Sequence, residues 1–510
     1  MDYNNIPIEK FRFAGEDRKK GDKKFDTKPV SYAKDVFLRF CKNKSSVVAA
    51  SIIVFLLLFS LLVPIFCTTT YSSNLTDTKY LQFTKLLPKC DLFKDAGFWD
   101  GCYDITVSKA EYLNMHAIEE ETGVKVITKV YKADYVDTSS TSKTTFYDLR
   151  VDSYYKNGMT FLNLTKEEFE SMQKWQDETG IQVIYPAVDE TKIKNTSKKT
   201  DPNVWFVTDE KGNSVLDASG GYQNIYRTSG PEDGYQSLRI EGDDGSYRYA
   251  KIGGSGENLT YTVRVLLYNY FQYRYGEEPS FLFGTNAKGQ DLLTRIAAGA
   301  QFSLILAICI SAINLFLGAI IGAVEGYYGG WIDLAVERII DILGGVPSMV
   351  VMSLFQLHLA SKVGPVWSMA FAFILTGWIG MSARTRMQFY RFKNQEYVLA
   401  ARTLGAKDGR LMFKHIFPNA MGTIITGSVL SIPGVIFSES SLTYLGIVNL
   451  ESSTSTSLGT LLSKGNDVLA THPHIVLFPA LFISLLMISF NLFGNGLRDA
   501  FNPSLKGIED

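Results

Sequence analysis

Few places in this chain bring titratable side chains together at a useful spacing. Asp333, Glu337 and Asp341 stand at i, i+4 and i+8 in Ile332–Leu343, one row along one helix face. Such a row could hold a cation, but in an amphipathic segment it reads as a solvated face at the cytoplasmic surface. His472 and His474 flank Pro473, and two imidazoles alone do not complete a metal site. The five cysteines are too few and too scattered for a metal cluster or a disulfide scaffold. Cys90 and Cys102 could pair if their segment faces an oxidising space. No Gly-x-x-x-x-Gly-Lys-Ser/Thr loop, nucleophile elbow or His-Glu-x-x-His occurs. The expectation is a chain with no catalytic residues, no metal and no cofactor of its own.

The densest stretch is Gln395–Asn419. Tyr397, Ala400, Ala401 and Leu404 recur at i, i+3, i+4 and i+7, the period of one helix face. Glu396 at the start and Arg402 further along suit the helix dipole. Gly405 supplies a stop and is expected to hold φ > 0. A second, basic helical segment is expected over about Lys407–Ile416, closed by Pro418 before the next apolar run. A short surface helix between two membrane helices can pass a push from a soluble partner into the bilayer.

The elements that must hold this helix follow from hydropathy. The 510 residues carry a net charge of −1, so no nucleic-acid footprint is present. Apolar runs near the ~20 residues needed to span hydrocarbon fall at Ser46–Phe66, Ala297–Val324, Val346–Leu359, Val366–Ser382, Met421–Leu445 and Ile475–Phe493. Polar residues within them, Asn314, His358, Glu439 and Asn491, are costly there. Glu439 is the candidate for lining a translocation path, with helix–helix hydrogen bonding as the alternative. Residues 1–45 are basic, which places them inside, and Tyr32–Phe40 is expected to form a helix lying on the membrane. Arg384, Arg386, Arg391, Lys393, Arg402, Lys407, Arg410 and Lys414 mark the 383–419 loop as cytoplasmic too. The expected division is 1–45 cytoplasmic segment, 46–66 first transmembrane helix, 67–279 extracellular insert, and 280–510 core with five further crossings.

The insert contains a weak repeat. Ser108-Lys-Ala-Glu111 and Glu121-Thr-Gly123 return as Thr165-Lys-Glu-Glu168 and Glu178-Thr-Gly180, at a constant offset of 57 residues. Each copy opens with a capping box and stops its helix at Gly before a β-branched run. Asn157-Gly158, Lys211-Gly212 and Asp243-Asp244-Gly245 read as hairpin turns. The expectation is a folded α+β domain.

Glu396-Tyr397-Val398, Ala400-Ala401-Arg402, Leu404-Gly405-Ala406, His415-Ile416 and Pro418-Asn419 resemble the cytoplasmic coupling loop of ABC-transporter permeases, closest to the C-type subunit of the dipeptide and oligopeptide permeases. Leu399 stands where that family has Glu. Gly284-Thr285-Asn286…Gly289-Gln290-Asp291 resembles its external Gly-Thr-Asp…Gly-Arg-Asp segment, with Asn286 and Gln290 in place of charged residues. Glu325-Gly-Tyr-Tyr-Gly-Gly330-Trp331 and Gly494-Asn-Gly496-Leu-Arg498-Asp499 also resemble family motifs, and the likeness skips the insert. It implies an α-helical integral membrane protein of the plasma membrane, with six transmembrane helices, cytoplasmic termini and an inserted α+β domain. It also implies a second permease subunit, two cytoplasmic ATPase subunits that supply ATP and Mg, and an extracellular substrate-binding protein. Glu396, Tyr397, Ala400, Ala401, Arg402, Gly405 and Pro418 would couple to the ATPase. Peptide import is the expected activity. A nickel or small-solute permease, or a membrane-anchored receptor acting through the insert, are the rivals.

Overall fold

The computed structural model describes residues 32–66, 83–90, 92–93, 97–136, 145–189, 202–203, 239–240, 242–255, 258–451 and 456–501. Cys67 and Lys211-Gly212 lie outside the described residues. Among the described residues, five helical stretches are long and apolar enough to cross a membrane. They are α2 (Lys44–Phe66), α7 (Leu292–Tyr328), α10–α11 (Pro365–Gly377 and Ile379–Phe392), the continuous run Asp408–Tyr444 and α16 (His474–Phe501). The expected crossing at Val346–Leu359 is too short to cross without its flanking residues. It belongs to α9 (Ser348–Val363), whose 16 residues reach only about 24 Å, short of the ~30 Å hydrocarbon layer. It follows α8 (Gly330–Gly344) at a bend of 75°. Pro347 donates no backbone hydrogen and disfavours helix at Val346, so the helix breaks there. The two pieces together make a sixth crossing if they form one broken span.

α7 and α11 pack backbone against backbone. Gly318, Gly322 and Gly326 form a small-residue stripe at a spacing of four along α7. A Cβ built on Gly322 would stand 2.2 Å from the Ser382 carbonyl oxygen, and one on Gly326 2.6 Å from Phe389 Cβ. Backbones this close replace the hydrophobic drive that lipid removes with direct packing. At the other edge of the core, α1 (Tyr32–Lys42) buries Val36 and Phe40 against Ala500 and Phe493 of α16. The expected N-terminal helix is thus present, but one face is docked on protein, while Phe37 and Leu38 remain exposed.

The insert folds as two copies of one β-α-β-β-α unit. The first is β1 (Cys102–Ser108), α3 (Lys109–Thr122), β2 (Ile127–Val136), β3 (Thr145–Asp152) and α4 (Ser153–Lys156). The second is β4 (Met159–Leu164), α5 (Lys166–Thr179), β5 (Ile184–Tyr185), β6–β7 (Ala250–Ser255, Asn258–Leu266) and α6 (Leu267–Tyr275). The last strand of each copy lies in the middle, in the orders β1-β3-β2 and β4-β7-β5, with β6 added on β7. Both capping boxes form, and Gly123 and Gly180 both end their helices at φ 72°. The last helical turn even sends equivalent side chains to equivalent strands. Glu119 Oε1 accepts from Ile127 N at 2.7 Å, and Gln176 Oε1 accepts from Ile184 N at 3.1 Å. The copies are locked by Arg264, on β7, whose Nη2 meets Glu121 Oε2 at 2.5 Å and whose Nη1 donates to Pro186 O at 2.8 Å.

One turn assignment differs from the sequence reading and one holds. Asn157-Gly158 joins α4 to β4, whose sheets are separate, so it makes no hairpin. Asp243-Asp244-Gly245 does turn the chain tightly, with Gly242 N donating to Ser246 O at 2.7 Å. Cys90 and Cys102 are free thiols, and burial pushes the Cys102 thiol up to about 11.

The glycine stripe predicts that Gly322→Val breaks the α7–α11 contact. Overpacking costs about 1–3 kcal/mol where neighbours can shift, and here the neighbour is backbone. Gly434→Ala, with open space around it, should be neutral or mildly stabilising. Thermal melts of the purified protein check both; a Gly322→Val protein melting with the parent would refute the stripe's role.

Candidate functional site

The short surface helix is α12 (Glu396–Thr403). Its anchor is Val398, fully buried with Phe389 of α11, Tyr327 at the end of α7, and Leu411, Met412 and Ile416. Arg402 Nη2 donates to Tyr327 Oη at 3.4 Å, and that hydroxyl donates to Asp408 Oδ1 at 2.6 Å. Tyr397 Oη accepts from Asn419 Nδ2 at 3.2 Å. Burial pushes the Tyr397 phenol up, with the Asn419 contact opposing it, so the hydroxyl stays neutral at physiological pH.

The helix ends in a paired-hydrogen-bond stop. Ala406 N donates to Ala401 O at 3.1 Å and Gly405 N to Arg402 O at 2.9 Å, the two bonds of a Schellman motif. Gly405 sits at φ +85° with no atom within 4 Å of a built Cβ. Any penalty for a side chain there is therefore backbone strain and not a clash.

The structure redraws the face read from the sequence. Tyr397, Ala400 and Leu404 point outward, with Leu404 89% exposed. Ala401 turns inward and packs beside the Val398 cluster. Leu399 is exposed as well, and Glu396 is solvent-facing in the first turn. Pro418 does not close a separate helix. Asp408–Arg410 (α13), a π-helical turn at Leu411–Ile416 and α14 (Phe417–Tyr444) run on as one element. Phe417 N reaches back five residues to Met412 O. This wider turn loosens the ladder where Pro418, in the first turn of α14, has no hydrogen to donate. α12 is thus seated directly on the foot of a membrane helix.

The carboxylate row is also corrected. Asp333 and Glu337 do not simply face solvent but are part-buried and hold Arg386 of α11: Arg386 Nε meets Asp333 Oδ1 at 2.7 Å, and Nη1 pairs with Glu337. Tyr390 Oη donates to Asp333 Oδ2 at 2.6 Å. Asp341 alone stays at the surface, beside Arg338. One turn away, Glu325 is fully buried and accepts from Ser382 Oγ at 3.2 Å.

Glu439 lies at the other end of α14. It is 1% exposed and accepts from Ser303 Oγ at 2.9 Å and from Ser440 and Thr443 at 3.3 Å. The Ser303 hydroxyl ties α14 to α7, and α15 (Leu458–Asn466) is laid against both. The geometry is helix–helix hydrogen bonding. At the head of α7, Asn286 Nδ2 donates to Gln290 Oε1 at 2.9 Å, a neutral amide pair where the resembling family has charges. Asp291 caps α7 through Leu293 N and Thr294 N. Thr285 Oγ1 accepts from Leu86 N at 2.8 Å and donates to Phe83 O at 2.5 Å. The sequence reading gave Thr285 no role beyond its motif and missed the glycine stripe; the spacing of four in Gly318, Gly322 and Gly326 was the available signal.

Comparison with known proteins bears on what this arrangement belongs to. Residues 314–507 match the family described as binding-protein-dependent transport system inner membrane component. Residues 31–88 match the N-terminal TM domain of oligopeptide transport permease C. The oligopeptide transport system permease protein OppC of Bacillus subtilis (strain 168) is 41% identical over 224 residues, 44% of this chain and 72% of that protein. The dipeptide transport system permease protein DppC of the same organism is 40% identical, over 44% of this chain and 69% of that protein. OppC of Haemophilus influenzae is 36% identical, over 43% and 70%. A solved inward-facing MetNI methionine ABC transporter chain aligns at 12% identity with a TM-score of 0.34, over 41% of this chain and 96% of that one. The regions that match carry α1, α2, the bent pair, the α11 clamp, α12 and the long helices that follow, and a multi-pass membrane protein with those parts belongs to the family of ABC importer permeases, among the C-type subunits of its oligopeptide and dipeptide branch.

Proposed function

We propose that this chain is one of two permease subunits of an importer that carries oligopeptides or dipeptides across the plasma membrane. Two cytoplasmic ATPase subunits supply ATP and Mg, and an external binding protein delivers substrate. The observation that carries the coupling role is the outward face of α12, Tyr397, Ala400 and Leu404, on a helix seated by Val398 on the foot of α14. Small and apolar side chains at the tip let a groove on a soluble ATPase approach closely. Because the helical run is continuous from Asp408 to Tyr444, displacement of α12 moves a membrane helix and not a slack loop. Arg386 with Asp333 and Glu337 forms a second link, between α11 and the bent pair, which must shift or hold as access alternates. ATP and loaded binding protein each favour one state of that equilibrium. Glu396 and Arg402 support α12 through the dipole and Tyr327, Ala401 through packing, Gly405 through its stop and Pro418 through the π turn. Glu439 joins α14 to α7 through Ser303.

The orientation we propose is α12 and both termini inside and residues 67–279 outside. The basic residues around α12 support it. In a cysteine-free background, Lys174→Cys on the insert should react with an impermeant maleimide in intact cells, and Gly409→Cys only after lysis. The reverse pattern would overturn the orientation.

Coupling is tested by Ala400→Glu. A carboxylate carried into a partner groove without a partner costs a few kcal/mol, and about 2.7 kcal/mol is two orders of magnitude in affinity. ATPase co-purification and uptake of a labelled tripeptide should fall together, with thermal stability unchanged because Ala400 touches nothing in this chain's core. Normal uptake and co-purification would sink the coupling role.

Gly405→Val tests the stop. A β-branched residue at φ +85° costs about 1–2 kcal/mol, so the Ala406 amide should exchange hydrogen roughly tenfold faster or more, while Gly405→Asn stays near the parent. Equal protection in all three would show that the stop does not hold the helix end.

A further inference from the structure

A second polar site lies at the opposite end of α7 from α12. The first turn of α7, the loop at Glu451, α15 and the start of α16 enclose a cavity of about 240 Å³. Four cations, Lys85, Lys288, Arg295 and Lys464, line it with two carboxylates, Glu451 and Asp467. Glu451 is already engaged, by Lys288 Nζ at 2.6 Å and Lys464 Nζ at 3.6 Å. Burial raises its carboxyl, but the two lysines outweigh burial and hold it below the usual carboxylate range. It therefore stays ionised and committed to them.

Arg295 is different. It is only 5% exposed, with Glu451 as a nearby countercharge, and among the described residues its buried Nε has no hydrogen-bond acceptor. Beside it, Gln290 is 3% exposed; its Oε1 takes the Asn286 amide, while its Nε2 is left with no acceptor. Two buried donors from different residues thus border one cavity with their acceptors missing. A buried donor left unsatisfied costs about 1–3 kcal/mol, more when charged. The group that would satisfy both brings oxygens and a negative charge. A carboxylate does so, and guanidinium takes it in paired hydrogen bonds that a neutral amide cannot match.

We propose that this cavity binds a carboxylate, and that the carboxylate is the C-terminus of the transported peptide. The second half of that statement rests on the peptide-import reading above. An importer that accepts varied sequences has to recognise what all of them share. The C-terminal carboxylate is the negative charge every linear peptide carries whatever its side chains. The cavity is large enough for a terminal residue and too small for a whole oligopeptide, so recognition here leaves the rest of the sequence unread. Arg295 holds the carboxylate, Gln290 Nε2 donates a further hydrogen bond, and Lys85 adds charge. Lys288 and Lys464 are kept from closing on Arg295's ligand by Glu451.

The test uses the full chain in its assembled complex in lipid nanodiscs, without binding protein. Radiolabelled tri-alanine is expected to bind at least tenfold tighter than tri-alanine amide. Arg295→Gln should abolish that difference and Arg295→Lys should retain part of it. Gln290→Leu, which keeps the charge, should weaken acid binding several-fold and keeps the proposal testable if Arg295→Gln fails to assemble. Equal binding of acid and amide, or a preference that survives Arg295→Gln, overturns the proposal. An independent readout is protection of Arg295 from phenylglyoxal, located by mass spectrometry. Acetate and tri-alanine should protect, and acetamide and tri-alanine amide should not. Protection by acetate without protection by tri-alanine overturns the peptide assignment and points to an acidic side chain on a docking protein. Peptide uptake by the parent complex, measured separately in vesicles, distinguishes failure of this subsite from failure of the import reading: uptake without an acid preference removes the subsite alone.

Discussion

The approach of α7 to α11 along Gly318, Gly322 and Gly326 is the contact on which the rest of the membrane core depends. In lipid there is no gain from hiding apolar side chains against one another, so helices associate where backbones can come close. Because the two backbones nearly touch, Ser382 reaches Glu325, Phe389 reaches Tyr327, and Arg386 is presented to Asp333 and Glu337. The seat of α12 is built from the same two helices. Shifting this contact by one side chain would move the seat, the clamp and the buried Glu325 together.

The insert is not a loose appendage on that core. Thr285 satisfies backbone groups of Phe83 and Leu86 from the strand-like segment just before α7, and Phe281 packs in the core of the first insert unit. Trp99 lies against Phe478 of α16, with ring centroids 5.8 Å apart, and its indole donates to Leu282 O. Those contacts join the duplicated unit to the starts of two membrane helices. Any outer rearrangement of α7 against α16 has to carry the insert with it or break these hydrogen bonds.

Some polar groups buried within the core are satisfied by one another, in distinct ways. Glu439 is surrounded by hydroxyls from its own helix and from α7. The Asn286–Gln290 pair reproduces in neutral form a contact that charged residues would otherwise make, with no ion to desolvate. Arg295 and Gln290 each keep one buried donor with no acceptor among the described residues.

Much was legible in the sequence where the cause is local. The α12 helix, its Gly405 stop, both capping boxes and the repeat of the insert depend on residues within a few positions of one another, and these form as the spacing implies. The apolar runs also locate the spans, because hydrocarbon thickness sets a length that a sequence either meets or does not. Tertiary structure decided the rest. Only packing shows that Ala401 faces inward and Ala400 outward, since the two are neighbours at the edge of one helical stripe. Spacing alone cannot say whether Asp333 and Glu337 meet water or Arg386, some 50 residues away in sequence. The run through Pro418 depends on a π turn that no local propensity signals. Arg264 closing on Glu121, and Arg295 left open at a cavity, are matters of which distant groups arrive beside a buried charge. A sequence names the charge, and only the fold determines its surroundings.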